Sequence, residues 1–511
     1  MQALERAIAE RIPLEGLAHT SPLSGLRRRR VGAIDIAAQS VAAVAPTGVA
    51  LVNPGEVGET AGGFAVIAFA ATVVVVVLLS LTMSVFVRRI ASAGSLYTFT
   101  VRGLGRTGGL IAGTALAVGY LGIAAACLLD SAQRVAALIA TTPVQSAPPV
   151  LSAVIVVVFA TLVAVAIVRG VRISTRVLLV VEVLGMLVIA GVAVAVFSAS
   201  GWDFSALAPS FEGGVLDGNA LLSGLAVGLV AFVGFESGIA LGPEARRPLA
   251  AVPRALMWTV IAVCLSYLVG VSAHLVGTAS AHGGRTASNG SDVALAGIGE
   301  SVGLTGIAPW IDVIVALSFL ACTLATTIAL ARLTLVMSRE GLLPRALGRT
   351  GRRGTPAIGG VVITAIVTAA PLLALVFSVP DDIIDQVADT AILGYVIAYI
   401  LVAIAAPVFL VRIGEFRWID ALPAAVVSTV LTLTLLHSVI TGTPGHIAAA
   451  WTMVALIAVI AALFRARVSR DPGTAARLGM YDSPIAADSI GGRDAGASGM
   501  GAEAPEPVER S

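Results

Sequence analysis

The chain has 511 residues, of which 57% are hydrophobic and 12% are charged, and its formal net charge is +2. Soluble globular proteins carry roughly 25% charged residues, so this composition excludes that class. All 32 basic residues are arginines, which excludes an ATP-driven pump built on a lysine-containing phosphate loop.

The chain begins with a segment, residues 1–29, that is predicted to be cytoplasmic because it carries acids and lacks the long apolar stretch of a signal peptide. Residues 30–467 then contain twelve apolar segments that are long enough to cross a bilayer. We number them spans 1–12, and they lie near residues 31–53, 62–87, 107–129, 148–168, 177–199, 218–241, 255–279, 305–337, 357–379, 384–411, 419–439 and 446–464. Residues 468–511 are rich in Gly, Ala, Pro and acids and are predicted to form a disordered cytoplasmic tail.

The arginines lie mostly on one side of these spans. If the chain starts in the cytoplasm, 24 arginines flank the inner ends of the spans, and only Arg134 and Arg285 lie outside. By the positive-inside rule, both termini are therefore predicted to be cytoplasmic and the protein to be a multi-pass protein of the plasma membrane.

Two spans are interrupted, and they lie five spans apart. Span 1 contains Ala45-Pro46-Thr47-Gly48, and span 6 contains Gly234-Phe235-Glu236-Ser237-Gly238. Proline removes a helix hydrogen bond, glycine weakens a helix, and a charge in hydrocarbon costs at least about 2.5–3.5 kcal/mol. Paired breaks at matching positions are typical of transporters with inverted repeats. The predicted fold is all-α, with a five-plus-five inverted repeat, discontinuous helices 1 and 6, and two further helices. The alternative is that Pro46 only kinks its helix and that Glu236 forms a structural hydrogen bond to a neighbour.

Three further segments carry recognisable signatures: GFESGIALGPEARRPLAAVPRAL in and after span 6, ARLTLVMSREGLLPRALGR with GTPAIG after span 8, and RRIASAGSLYTFTVRGLG between spans 2 and 3. In this order they resemble amino acid permeases of the amino acid–polyamine–organocation (APC) superfamily. The chain departs from that pattern in span 1, which lacks G-S-G-x-F, and at Arg247 and Glu182, where relatives have asparagine and lysine. The resemblance implies secondary active transport of an amino acid or related amine, by proton coupling or exchange.

The helix break in span 1 leaves backbone N–H groups that attract a carboxylate, and unwound carbonyls in span 6 suit an ammonium group. Tyr120 is a further predicted lining residue. The aromatic residues could alternatively be lipid-facing or packing residues. The predicted substrate-binding residues are Ala45, Thr47, Gly48, Tyr120, Phe232, Val233, Gly234 and Phe235.

Four charged residues are predicted to serve coupling or gating. Glu182 and Glu236 are acids within apolar segments, and such groups often relay protons; the alternative for Glu182 is a structural bond to a hydroxyl of span 1 or 8. Glu244 and Arg246 are predicted to form part of a charge network at the inner mouth, or else to anchor the chain at the membrane surface.

No cofactor or resident metal is predicted. Hydroxyls of Thr326 and Thr327 in span 8 could bind Na⁺, although threonine also bonds routinely to helix carbonyls. The predicted partners are the substrate, the bilayer and a co-transported proton, without nucleic acid. A transporter-like nutrient sensor and a polyamine or organic-cation permease stay open as alternatives. An enzyme is not predicted, because the five histidines are scattered.

Overall fold

The protein is described here by a computed structural model, which covers residues 21–52, 54–209, 218–281, 297–299, 302–471, 473–474 and 477–482. Two units are distinguished by their internal contacts, residues 25–481 and a second unit of residues 1–24 with 482–511. All of the helices given below belong to the first unit. The described residues contain helices and one isolated parallel bridge, between Val31 and Ala245, but no β-strand.

The helices follow the predicted spans closely. Spans 2–5 and 7–12 correspond to the helices Ala65–Val87, Leu96–Ala140, Pro149–Arg169, Val171–Ala199, Pro248–Ala281, Ala308–Glu340, Ala357–Val376, Asp381–Arg412, Trp418–Thr441 and Pro444–Arg470. Span 1 consists of Ala33–Val44 and Pro46–Val52, and the helix Pro54–Ala61 follows it.

Span 6 is a helix, Gly218–Val230, followed by turns and the 3₁₀ helix Ser237–Glu244. Eleven helices or helix pairs of the described chain are long and apolar enough to cross a membrane, whereas Gly218–Val230 is too short to cross it alone. The all-helical fold is thus confirmed, while the count of twelve crossings stays a prediction because span 6 is interrupted.

Span 3 begins with an extra helical segment. Its helix runs over 45 residues, but Gly105 has φ 83° and ψ −168°, which separates residues 96–104 from the apolar part. This short segment carries Tyr97 and Arg102 and lies where the sequence predicts a link between spans 2 and 3.

Burial is unequal among the spans. In the most apolar stretch of span 1, 78% of the residues are buried within the protein, compared with 22% in span 11 and 11% in span 12. Span 1 therefore lies at the centre of the helix assembly, whereas spans 11 and 12 present their apolar surfaces to lipid.

Residues 479–481, which lie within the tail predicted from residue 468, contact spans 3 and 8. Glu340, at the end of span 8, accepts hydrogen bonds from the Tyr97 hydroxyl and from the Met480 N–H, the latter at 2.7 Å. The Arg102 Nε donates to the Gly479 carbonyl at 3.1 Å, and its guanidinium lies 4.5 Å from the centre of the Tyr481 ring. The rest of the predicted tail, residues 483–511, and most of the predicted N-terminal segment lie outside the described residues.

Candidate substrate and coupling site

The break in span 1 occurs at Ala45, which has a left-handed backbone with φ 50°. Pro46 then begins the second half of the span, because proline has no N–H to continue the first. The first N–H groups of this second half have no partner within the helix, and side chains of spans 5 and 8 accept their hydrogen bonds. The Thr47 hydroxyl donates to Glu182 Oε2 at 2.9 Å, and the Thr47 N–H lies 3.4 Å from the same oxygen.

Ser318 of span 8 completes this cluster. Its hydroxyl donates to Glu182 Oε1 at 2.8 Å and accepts the Gly48 N–H at 3.1 Å. The predicted amides of Thr47 and Gly48 are therefore at the break, but in this structure they are paired with the protein's own carboxyl and hydroxyl groups. Glu182 bonds to hydroxyls of spans 1 and 8, which is the geometry of the structural alternative.

Span 6 crosses span 1 at its own break. Gly234 has φ +94°, and a Cβ there would lie 2.8 Å from the Ala43 carbonyl oxygen. Only glycine suits this position, because both the backbone conformation and the close approach exclude a side chain. Gly238 does not have a left-handed backbone. A Cβ there would nevertheless lie 2.4 Å from Ser40 Oγ and 2.6 Å from the Ile36 carbonyl oxygen.

Glu236 is fully buried and bonded to tyrosines from spans 3 and 10. It accepts hydrogen bonds from the Tyr120 hydroxyl at 2.9 Å and from the Tyr399 hydroxyl at 2.5 Å. The Tyr399 hydroxyl in turn accepts the Gly234 N–H at 3.1 Å. Two phenols therefore offset the cost of placing this acid inside the helix assembly, and one of them also caps the unwound backbone.

The predicted aromatic residues of span 6 point inward. Phe232 packs edge-on against Tyr267 with 5.1 Å between ring centres, and Phe235 lies 5.8 Å from Tyr399. Both phenylalanines are buried, as is Val233. The Tyr267 hydroxyl donates to the Ala231 carbonyl at 2.6 Å, so span 7 also binds unwound backbone of span 6.

Spans 1 and 6 are joined through their backbones at the ends that are predicted to face the cytoplasm. The Arg30 and Val31 N–H groups donate to the Glu244 carbonyl at 2.8 and 3.0 Å, and the Arg246 N–H donates to the Val31 carbonyl at 3.0 Å. The Glu244 carboxylate forms a buried ion pair with Arg332 of span 8, with Nη2 to Oε1 at 2.6 Å. The side chain of Arg246 is exposed, so the partner that the structure gives to Glu244 is Arg332.

The two candidate Na⁺ ligands are both buried, but their hydroxyls differ. The Thr326 hydroxyl donates to the Cys322 carbonyl at 2.6 Å, which is the back-bonding alternative. The Thr327 hydroxyl has no hydrogen-bond partner. Among the described residues, no group of three or more His, Cys, Asp or Glu side chains could hold a metal ion.

Sequence reasoning missed four members of the site: Tyr267, Ser318, Arg332 and Tyr399. Arg332 did carry a signal, because a charged residue within an apolar span rarely lies there without a partner. Tyr267, Ser318 and Tyr399 carried none, since serine and tyrosine are ordinary residues of membrane helices.

Comparisons with known proteins identify the family and the fold of this chain. The family model described as amino acid permease matches residues 35–464. The branched-chain amino acid permease BcaP of Bacillus subtilis (strain 168) is 24% identical over 399 residues, which are 74% of this chain and 80% of that protein. The crystal structure of MhsT in complex with L-phenylalanine has a similar fold, with a TM-score of 0.56 and 15% identity over 81% of this chain and 99% of that one. The chain belongs to the amino acid permease family.

Proposed function

We propose that this permease, a secondary amino acid transporter, carries a neutral, apolar amino acid across the plasma membrane together with a proton. The substrate would bind between the breaks of spans 1 and 6, and both termini would face the cytoplasm. The observation that carries this proposal is the position of Glu182, whose carboxyl group occupies the helix start of span 1.

The residues around the breaks support an apolar substrate side chain. Phe232 and Phe235 lie at the span 6 break, and the Phe319 ring lies so close to Gly48 that a Cβ there would be 2.7 Å from it. Glu236 is engaged by two tyrosines and is not the obvious partner of a cationic side chain. The similarity to a branched-chain amino acid permease favours the same substrate class.

Coupling between substrate and proton follows because the substrate carboxylate competes with Glu182 and Ser318 for the N–H groups of Thr47 and Gly48. A substrate carboxylate that reaches the Thr47 and Gly48 N–H groups must displace Glu182 and Ser318. Two carboxylates repel each other strongly in a buried site unless one of them is protonated. The substrate therefore binds best when Glu182 is neutral, and by reciprocity the substrate favours protonation of Glu182.

The inner contacts supply the element that alternates. The backbone pairing of residues 30 and 31 with Glu244 joins spans 1 and 6, so their inner ends can move as one unit. The Glu244–Arg332 ion pair holds this unit against span 8. Opening towards the cytoplasm breaks this ion pair, while the backbone pairing persists.

The test uses the purified full chain in proteoliposomes. Labelled leucine, valine, phenylalanine, lysine and putrescine are offered with and without an inwardly directed proton gradient. We expect accumulation of the apolar amino acids only with the gradient. Glu182→Gln, which carries no titratable proton, should lose gradient-driven accumulation but retain exchange of substrate for substrate.

Asp203→Asn is the matched control, because Asp203 is an exposed acid in an outer loop and should leave coupling unchanged. Normal gradient dependence in Glu182→Gln would contradict the coupling role and leave Glu182 structural. Preferred uptake of putrescine or lysine would contradict the apolar substrate.

A further inference from the structure

A groove lies at the cytoplasmic ends of spans 4 and 9, far along the chain from the residues of the two breaks. It has a volume of about 590 Å³ and is lined by Ala164, Val165, Val168, Arg169, Gly351, Arg352, Arg353, Thr355, Ala357 and Val361. The two helices touch beside it, since a Cβ on Gly360 would lie 2.5 Å from Ile167 Cγ2.

The groove is basic at one end. Arg169 is the last residue of span 4, and Arg352 and Arg353 belong to the turn that precedes span 9. This turn is held by the Gly351 N–H, which donates to the Thr355 carbonyl at 2.8 Å, and the Arg353 Nη1 donates to the Arg169 carbonyl at 3.3 Å. Three arginines therefore line the groove, and none of the residues lining it is acidic.

Two further features favour an anion at this end. The helix of span 9 starts here, which adds the partial positive charge of its N-terminus. Thr355 is 4% exposed and its hydroxyl has no hydrogen-bond partner. Like charges gathered without an acid repel one another, so a bound anion would lower the energy of the arrangement.

The other end of the groove is apolar and open. Val165 and Val168 are each 40% exposed and Val361 is 45% exposed, all within about two turns of the helix ends. Exposed apolar side chains at this position face the acyl region of the bilayer, next to the level at which the arginines meet the headgroups.

We propose that this groove binds an anionic phospholipid of the cytoplasmic leaflet. The phosphate group contacts Arg169, Arg352 and Arg353, and one acyl chain lies along Val165, Val168 and Val361. Basic pockets between helices on the cytoplasmic side are suited to such headgroups. A soluble anion would use only the basic end, whereas the lipid uses both ends of the groove.

The experiment is a titration of the delipidated full chain with dioleoylphosphatidylglycerol, followed by native mass spectrometry. The test variant is Arg352→Gln with Arg353→Gln. The control is Arg465→Gln with Arg467→Gln, which removes the same charge from exposed positions at the inner end of span 12. We expect phosphatidylglycerol to bind the test variant about tenfold more weakly or worse, and the control as it binds the parent.

Parallel titrations with dioleoylphosphatidylethanolamine and with glycerol 3-phosphate identify the ligand. Binding of phosphatidylglycerol at least about tenfold tighter than either of them would support the proposal. Equal affinity for the zwitterionic lipid, or for glycerol 3-phosphate, would overturn it. An equal loss in the test and control variants, or no loss in the test variant, would also overturn it, because the groove would then add nothing to general surface charge.

Discussion

Tyr395 and Tyr399 lie one turn apart on span 10 and have different surroundings. The Tyr399 hydroxyl donates to Glu236 and accepts the Gly234 N–H, whereas the Tyr395 hydroxyl is buried without a hydrogen-bond partner. Both rings pack against other aromatic rings of the site. A tyrosine-to-phenylalanine change at each position therefore separates the contribution of the Tyr399 hydrogen bonds to stability from the contribution of the ring.

We expect Tyr399→Phe to lower the free energy of unfolding by about 1–3 kcal/mol, because it leaves a buried carboxylate oxygen and an N–H group without their partner. Tyr395→Phe removes a buried hydroxyl that has no hydrogen-bond partner, so it should leave stability unchanged or raise it. Thermal unfolding in detergent measures both. Equal losses in the two variants would mean that the rings, not the Glu236 contact, determine the effect.

The buried ion pair of Glu244 and Arg332 can be compared with an exposed one. The side chains of Glu244 and Arg332 are 5% and 1% exposed, whereas those of Glu415 and Arg89, which also form a pair, are 56% and 32% exposed. Arg332→Met leaves a buried carboxylate without its counter-charge and should cost about 3–5 kcal/mol. Arg89→Met should cost about 0–1 kcal/mol.

Adding Glu244→Gln to Arg332→Met removes the unpaired charge, so the double variant should regain much of the lost stability. Chemical or thermal unfolding of the parent, Arg332→Met, Glu244→Gln and the double variant gives the coupling free energy of the pair. A double variant that is no more stable than Arg332→Met alone would contradict the ion pair as the source of the loss.

At the scale of whole elements, the close crossing of spans 1 and 6 depends on Gly238. A Cβ there would meet the Ile36 carbonyl oxygen at 2.6 Å, and backbone cannot move aside cheaply. We expect Gly238→Ala to cost about 1–3 kcal/mol and to impair transport. Gly191→Ala in span 5 is the control, because nothing lies within 4 Å of its added Cβ.

In the control, alanine replaces glycine inside a helix and should stabilise the protein by about 0.5–1 kcal/mol. Melting temperatures and initial uptake rates of both variants check the prediction. Unchanged stability and uptake in Gly238→Ala would show that spans 1 and 6 can separate without penalty.

Both helix breaks were predictable, because their signals are local. Pro46 cannot continue a helix, and the glycines around Glu236 mark a place where a helix is weak. The separate reasons for Gly234 and Gly238, a left-handed backbone and a close approach, depend on the crossing of two spans. For Glu182, the sequence indicates a bond to a hydroxyl of span 1 or 8 as an alternative, but it does not identify Thr47 and Ser318. Which residues meet depends on how spans 1, 5 and 8 pack, and local patterns do not specify that packing.

At the scale of the molecule, the orientation of the chain is a prediction that rests on its arginines. Reporter proteins fused after Arg254 and after Arg353 should lie in the cytoplasm, whereas a fusion near Gly284, outside the described residues, should lie on the opposite side. Accessibility of the reporters in intact cells measures this. An inversion of any one of the three would contradict the twelve-span order and the pairing of spans 1 and 6.

The two buried acids also have a consequence for biosynthesis. Glu182 and Glu236 are each made after one partner, Thr47 and Tyr120, but 136 and 163 residues before the other, Ser318 and Tyr399. At a translation rate of about 5–20 residues per second, the second hydroxyl is synthesised roughly 7–33 s after each carboxyl group. A nascent chain that ends between spans 6 and 8 therefore holds two buried acids at once, each with only one of its two hydroxyl partners.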